Sequence, residues 1–365
     1  MRAEAVAAML PFLTDRFGNP SGSHALARDA RRAIDEARDV IAVALGCRPN
    51  DVVFTSGGTE ADNAAVFGGG VDVPGNTVVC SAVEHHAVLE PVRQLGGRIV
   101  RVDRGGVIDL DDLASALDDR VRLVSVMLAN NEVGVVQPLG DVAAVVRQAA
   151  PRAVLHTDAV QALPWLDVAE LAAPADLVSV SAHKVGGPKG IGVLVVRADV
   201  AFTARQVGGG QEAERRSGTQ GVASIVAMAE AIRLTVDERK ATVERVGAQR
   251  DRLVDGLIDA VDGVHETGNR THKVAGNAHV CIEGVDAEAL LFLLEDAGVL
   301  ASAGASCASG ALESSHVLTA MGVAPALARG SVRLSLGATS TAADVDRALT
   351  VIPAAVERLR RHGGG

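Results

Sequence analysis

Asp176-Leu-Val-Ser-Val-Ser181-Ala-His183-Lys184-Val-Gly-Gly-Pro-Lys-Gly-Ile-Gly192-Val-Leu-Val-Val196 is the stretch on which the fold turns. Two short apolar runs, Asp176–Ser181 and Gly192–Val196, read as strands, and the Gly/Pro-rich residues between them read as a loop. His183 and Lys184 stand where the first strand enters that loop. An amine held at the end of a buried strand loses its proton more readily than one in water, because desolvation disfavours the ammonium form. A neutral lysine amine condenses with an aldehyde, which is how pyridoxal 5'-phosphate (PLP) is anchored to proteins. A surface lysine in an ordinary turn would look the same in isolation, so the neighbouring segments have to decide between the two.

Moving outward, the pattern repeats. Strand-like runs at Val52–Thr55, Thr77–Ser81, Arg98–Val102, Leu123–Leu128 and Ala153–His156 precede the two already named. Amphipathic helical patterns fall between most of them, as at Asp109–Leu117 and Leu139–Ala149. Ahead of them, His24–Leu45 carries apolar residues at helical spacing, with Gly46 placed to end the helix. Short apolar strands alternating with helices indicate an α/β domain around a mostly parallel, buried seven-stranded sheet. Beyond Gly221 the pattern changes to one long helical stretch, Val222 to about Ala260, and then to a smaller α+β unit.

Bulk properties remove several functional classes. The 365 residues are 48% hydrophobic with a mean hydropathy of +0.23, which suits a large, well-buried core. A net charge of −10 and a pI near 5.5 disfavour binding to a phosphate backbone, and the absence of tyrosine disfavours base stacking. No apolar run approaches the ~18–20 residues of a membrane span. The apolar N-terminus has Glu4 inside it and Pro11 breaking it, and Thr14-Asp-Arg16 offers no small-residue cleavage site, so export is not expected. The four cysteines, 47, 80, 281 and 307, are widely spaced without a CxxC, a pattern of reduced thiols in a cytoplasm.

Four further segments carry chemistry. Val52-Val-Phe-Thr-Ser-Gly-Gly58-Thr59-Glu reads as strand, glycine turn and helix start, a geometry whose N–H groups cradle an anion; Thr59 adds a hydroxyl. An ordinary capped strand–helix turn is the alternative. Leu155-His-Thr-Asp158-Ala-Val-Gln161 puts a carboxylate at a strand's C-terminal end, where it could pair with a protonated pyridine nitrogen, or simply cap a helix. Gln161 is placed to reach the ring's 3-oxygen. His85 and His86 close another strand; a metal would need a third ligand that is not evident, and an imidazole stacked on a ring fits better. Arg333, alternating with apolar residues in Gly330-Ser-Val-Arg-Leu-Ser-Leu-Gly337, needs a carboxylate, either a ligand's or a structural partner's. Cys307 differs from the rest: residues 301–315 are almost all small, with Gly304 and Gly310, so its thiol is expected on a mobile loop that suits a carrier. Cys80 and Cys281 fall in strand-like runs and are expected to be inert.

Taken together these segments resemble the PLP-dependent cysteine desulfurases of the fold-type I, class V aminotransferase group. The resemblance runs from Phe17-Gly-Asn-Pro-Ser-Gly-Ser-His24 to Ser331-Val-Arg-Leu-Ser-Leu-Gly337. It includes Thr55-Ser-Gly-Gly-Thr-Glu60, Glu84-His85, Asn130-Asn-Glu-Val-Gly134, the Asp158/Gln161 and His183-Lys184 segments, and Arg216-Ser-Gly-Thr219. The extended small-residue segment around Cys307 is similar to the long-loop branch that serves iron–sulfur assembly and tRNA thiolation.

The resemblance implies a large PLP-binding domain over 15–245, with 1–14 and 246–365 forming a smaller one. It implies that Lys184 is the Schiff-base lysine and that Gly58, Thr59, Ser181 and His183 hold the phosphate, with Thr219 contributed by a partner subunit of a homodimer. Asp158 and Gln161 would hold the ring, His85 would stack on it, and Asn131 and Arg333 would bind the carboxylate of L-cysteine. Cys307 would be the nucleophile that takes the sulfur as a persulfide, leaving L-alanine, and would pass it to an acceptor protein, an iron–sulfur scaffold or a tRNA-thiolation protein. Two features depart from the family pattern. Nothing matches the strand and Ala-Thr-Thr-Pro-type turn with which family members usually begin, so a truncated or late start is expected. Ser306 and Ala308 flank the nucleophile where Ala and Ser/Thr are more usual. Another class V enzyme (a selenocysteine or C–S lyase) and an inactive scaffold are the competing readings.

Overall fold

The computed structural model describes residues 1–303 and 315–362. The chain parts into two compact units, the first comprising 1–100, 109–129 and 137–239, the second 101–108, 130–136 and 240–365. The division falls inside the helix Val222–Ala260.

The first unit is built on a seven-stranded sheet. In chain order its strands are β1 (Val52–Thr55), β2 (Thr77–Ser81), β3 (Arg98–Val100), β4 (Val121–Ser125), β5 (Val154–Asp158), β6 (Leu177–Ser181) and β7 (Gly192–Val196). They lie in the order β1-β7-β6-β5-β4-β2-β3. All neighbours are parallel except at β7, which runs antiparallel to both β6 and β1. β1 therefore points the same way as β2, β4, β5 and β6, and the C-terminal ends of all five reach one edge of the sheet. Both faces of the sheet are covered: every residue of β1, β4, β5, β6 and β7 is buried, the polar ones of β4, β5 and β6 included. Val53, Leu123 and Leu177 of the sheet share one core with Ala61, Ala65 and Val66 of the helix Gly58–Gly68. Burying an aliphatic side chain of this size stabilises the fold by roughly 1.5–3 kcal/mol. The helix Ala25–Leu45 ends as its sequence requires, with Gly46 left-handed (φ +62°) and its N–H on Ala42 O and Val43 O.

Two differences from the sequence reading stand out. β4 begins at Val121 and leaves the ladder after Ser125, earlier than the apolar run suggests. Residues 126–128 still donate to the next strand, Val126 N–H to His156 O and Leu128 N–H to Asp158 O, so they stay extended beside β5. Residues 1–14, assigned by sequence to the smaller domain, lie in the first unit. Arg2 fastens them, its N–H on Gly186 O (2.7 Å) and its guanidinium on Glu238 (2.8 Å).

The second unit carries an antiparallel sheet of β8 (Val264–Glu266), β9 (Asn277–Ile282), β10 (Ser302–Ala303) and β11 (Ser331–Ser335), in the order β10-β11-β9-β8. Helices Ala287–Asp296, His316–Ala320, Pro325–Ala328 and Ala342–His362 complete an α+β fold. Among the described residues no helix is long and apolar enough to cross a membrane.

Candidate active site

The sheet edge where β1, β5 and β6 end gathers most of the expected site. After β1 the chain turns through Gly57 (φ +152°, a conformation that favours glycine) into the helix Gly58–Gly68, whose first turn has no side-chain cap. A Cβ built on Gly58 would lie 2.9 Å from Val160 and 3.7 Å from Ser181, and one on Gly57 would lie 4.0 Å from Ser181 Oγ. The turn, the end of β5 and the end of β6 thus converge, and glycine keeps the space above the helix start open. Ser181 Oγ sits 2.8 Å from His183 Nδ1.

Asp158, the last residue of β5, is buried and its Oδ1 accepts the Val160 N–H at 2.8 Å. Burial pushes its carboxyl up to about 6, against the pull of the Val160 N–H and of the Lys184 charge. Lys184 lies in the short turn Ala182–Val185 that follows β6, close enough for that charge to act on Asp158. Here one expectation needs correcting. β6 is buried, but its cover ends at Val185's flanks, and both His183 and Lys184 are exposed. The described residues therefore leave the amine uncovered, and the burial expected of it stops at the strand. His85 is half-buried and caps the helix His86–Gln94, its Nδ1 accepting the Ala87 N–H at 3.1 Å. Asn63 Nδ2 donates to Ala87 O (2.9 Å), tying that helix to the one that starts at the glycine turn. His86 Nδ1 lies 3.6 Å from Glu90, and its ring meets that of His85 edge-on with the centroids 6.4 Å apart. Gln161 is half-buried just beyond Asp158, and Thr219 lies exposed on the segment after Arg216.

Sequence reasoning missed the polar layer beneath Asp158. His156 is buried between Ser125 Oγ (2.8 Å from Nδ1) and Ser179 Oγ (2.9 Å from Nε2), with Asp62 Oδ1 3.7 Å from Nε2. Burial holds this imidazole down to about 3, so it is neutral. Asp62 and Glu84 are also buried; desolvation first, and then repulsion from Asp158, hold both carboxyls well above their usual range. The three buried acids disfavour one another's ionisation, and Asp158, which accepts the Val160 N–H and feels the Lys184 charge, is the best placed of them to carry a charge. The signal was present in one place: Asp62 shares the apolar face of its helix with Ala61, Ala65 and Val66.

In the second unit Arg333 of β11 donates to Asn131 O at 3.2 Å, which brings the two expected carboxylate binders together. The adjacent Glu132 is buried; its Oε2 accepts the Ser315 hydroxyl at 2.5 Å, and burial raises its carboxyl to about 7 against the pull of that bond and of Arg333. Cys307 lies outside the described residues. Cys80 and Cys281 are buried in β2 and β9; desolvation raises the Cys80 thiol well above its ordinary range and the Cys281 thiol to about 12. Cys47, also chiefly through burial, is raised to about 11.

Comparison with known proteins settles the lineage. A family model described as aminotransferase class-V matches residues 1–348. The chain belongs to the class-V aminotransferase family. It is 44% identical to an IscS-like cysteine desulfurase of Mycobacterium tuberculosis over 94% of this chain and 91% of that protein. It is 40% identical to cysteine desulfurase IscS of Methanosarcina thermophila, over 99% of this chain and 90% of that one. Among solved structures, a NifS-like protein superposes with a TM-score of 0.90 at 32% identity, covering 98% of this chain and 96% of its own. Members of this family depend on PLP.

The residues present suit that cofactor. An uncapped helix start opened by glycine, beside a serine hydroxyl, matches a phosphate dianion. A buried carboxylate that has one N–H partner and would otherwise be costly to ionise matches a pyridinium. A primary amine near that carboxylate matches an aldehyde.

Proposed function

We propose that the protein is a PLP-dependent cysteine desulfurase that transfers sulfur from L-cysteine through Cys307. Lys184 would anchor the aldehyde. Gly58, Thr59, Ser181 and His183 would hold the phosphate, joined by Thr219 of a second copy in a homodimer; Thr219 is exposed in the single chain, as that role requires. Asp158 would hold the proton on the ring nitrogen, Gln161 would bond the ring oxygen, and His85 would stack on the ring. When bound, the cofactor supplies an electron sink that makes the bonds around the substrate's α-carbon labile. Asn131 and Arg333 would hold the substrate carboxylate, the planar guanidinium giving a two-point grip. The Lys184 amine would be the base that moves protons at the substrate.

The Cys307 thiolate then attacks the sulfur of the substrate. The carbon–sulfur bond breaks, a sulfur–sulfur bond forms, and the carbon that loses sulfur gains a proton. L-Cysteine and a thiol become L-alanine and a persulfide: the two sulfurs are oxidised and the carbon is reduced, with no outside electron donor. Cys47, Cys80 and Cys281 are poor rivals because burial holds each thiol protonated at neutral pH. The described cysteines are unpaired, which suits a cytoplasmic protein, and the acceptor would be an iron–sulfur scaffold or a tRNA-thiolation protein.

The observation that carries this reading is Asp158, buried at a strand end beside Lys184 and next to an open anion cradle. Borohydride reduction of PLP-treated protein, followed by peptide mass analysis, should place the pyridoxyl group on Lys184. Cys307→Ser should keep cofactor absorbance and lose sulfide release from cysteine. An unmodified Lys184 peptide refutes the cofactor assignment, and a Cys307→Ser protein that still turns over indicates a lyase.

A further inference from the structure

Among the described residues β1 is the edge strand of the large sheet, paired with β7 alone, and it ends in the turn read as the cradle. Four residues running into two glycines give that turn little support of their own. Side chains supply what a neighbouring strand would. On the outer edge of β1, Arg38 Nη1 donates to Val52 O at 2.5 Å, and Glu212 Oε2 accepts the Phe54 N–H at 3.0 Å. The two side chains are joined by a bidentate ion pair, both contacts 3.0 Å, and the Arg38 guanidinium stacks on the Phe54 ring at 4.6 Å. Gln220 donates to the same carboxylate. Glu212 is 8% exposed, so this pair works with little water to weaken it.

The segment that carries Glu212 also reaches the far side of the turn. Arg216 is bidentate on Glu60, at 2.8 and 3.3 Å, and Glu60 Oε2 accepts the Ser56 N–H at 2.7 Å. Between the two ion pairs the backbone is left-handed at three successive non-glycine residues, Glu212 (φ 51°), Ala213 (φ 53°) and Glu214 (φ 64°). Residues of this kind persist only where their surroundings over-determine them, and here the two ion pairs do so.

We infer that Glu212 and Arg216 are positioning residues for the anion cradle. One clamps the strand that enters the glycine turn, the other clamps the first helical residues that leave it, and a single left-handed segment sets the distance between them. This rests on reading the turn Ser56–Thr59 as the phosphate seat. Neither residue needs to touch the phosphate. Both fix the direction in which the turn's N–H groups point.

The test compares two aldehydes, PLP and its phosphate-free form pyridoxal, titrated by absorbance into cofactor-stripped full-length wild type, Glu212→Gln and Arg216→Gln. Each variant should lower the preference for PLP over pyridoxal by about tenfold or more, the worth of a charge-assisted bond. Amide exchange at Phe54 in Glu212→Gln, and at Ser56 in Arg216→Gln, should quicken alongside. A residue that serves stability alone would weaken both aldehydes equally and leave the ratio unmoved. If Glu212→Gln does not fold, Arg216→Gln, whose ion pair is partly exposed, carries the test. A wild-type preference with unchanged variant ratios overturns the inference alone. Wild-type protein that fails to prefer PLP overturns the functional reading and the inference together.

Discussion

Replacing Asp158 by Asn should make the cofactor-free protein more stable while weakening its hold on the cofactor. The carboxyl is pushed up to about 6 from an ordinary 3.8, chiefly by burial. An acid whose folded pKa lies above its unfolded one favours folding while protonated. Its contribution is complete below about pH 3.8 and is lost as pH rises through about 6. At full ionisation the gap of about two pH units corresponds to about 3 kcal/mol against folding. Asn keeps an oxygen for the Val160 N–H and removes the charge. At pH 8 cofactor-free Asp158→Asn should therefore melt higher by about 6–12 °C, at roughly 2–4 °C per kcal/mol for a unit of this size. At pH 5, where the wild-type carboxyl is mostly protonated, the advantage should fall to about half. Thermal unfolding followed by circular dichroism at both pH values checks this. A variant that melts at or below wild type at pH 8, or whose advantage does not grow with pH, refutes the reasoning.

Two further outcomes follow from packing and capping. In Gly192→Ala the new Cβ would lie 2.7 Å from Gly57 C and 2.8 Å from Val180 O, both backbone atoms that cannot step aside. The cost should be about 1–3 kcal/mol, with weaker PLP binding because the glycine turn is pushed; an unchanged melting temperature contradicts this. In Ser315→Ala the Glu132 carboxylate loses a hydrogen bond that favours its charged form, and the Leu318 N–H loses its cap. The Glu132 titration, seen by carbon-13 NMR, should move up from about 7, with stability lower by about 1–2 kcal/mol; a midpoint that stays or falls counts against it.

The large domain was legible because its strands are buried on both faces. Val52–Thr55, Thr77–Ser81, Leu177–Ser181 and Gly192–Val196 appear where their apolar runs and flanking turn residues put them. The long helix Val222–Ala260 was readable from its spacing. What escaped depends on distant contacts. The placing of 101–108 and 130–136 in the second unit reflects which residues they pack against, and no local pattern encodes that. β10, two residues long, has no periodicity to read. The left-handed run Glu212–Glu214 carries ordinary side chains and sits where glycine would have signalled it. Lys184 was singled out by its setting, but its exposure was not legible, because strand burial says nothing about the turn beyond it.

β7, the one reversed strand, shapes how Lys184 can work. Because β6 and β7 are adjacent and antiparallel, the lysine stands on a closed hairpin whose arms are hydrogen-bonded from Leu177↔Val196 to Ser181↔Gly192. Both arms lie inside the sheet, with β5 on one side and β1 on the other. The main chain is therefore held on both sides of the turn, at Ser181 and at Gly192. In the role proposed for Lys184, travel of the amine between one partner and the next would be left to its own four methylenes and to the short turn that carries it.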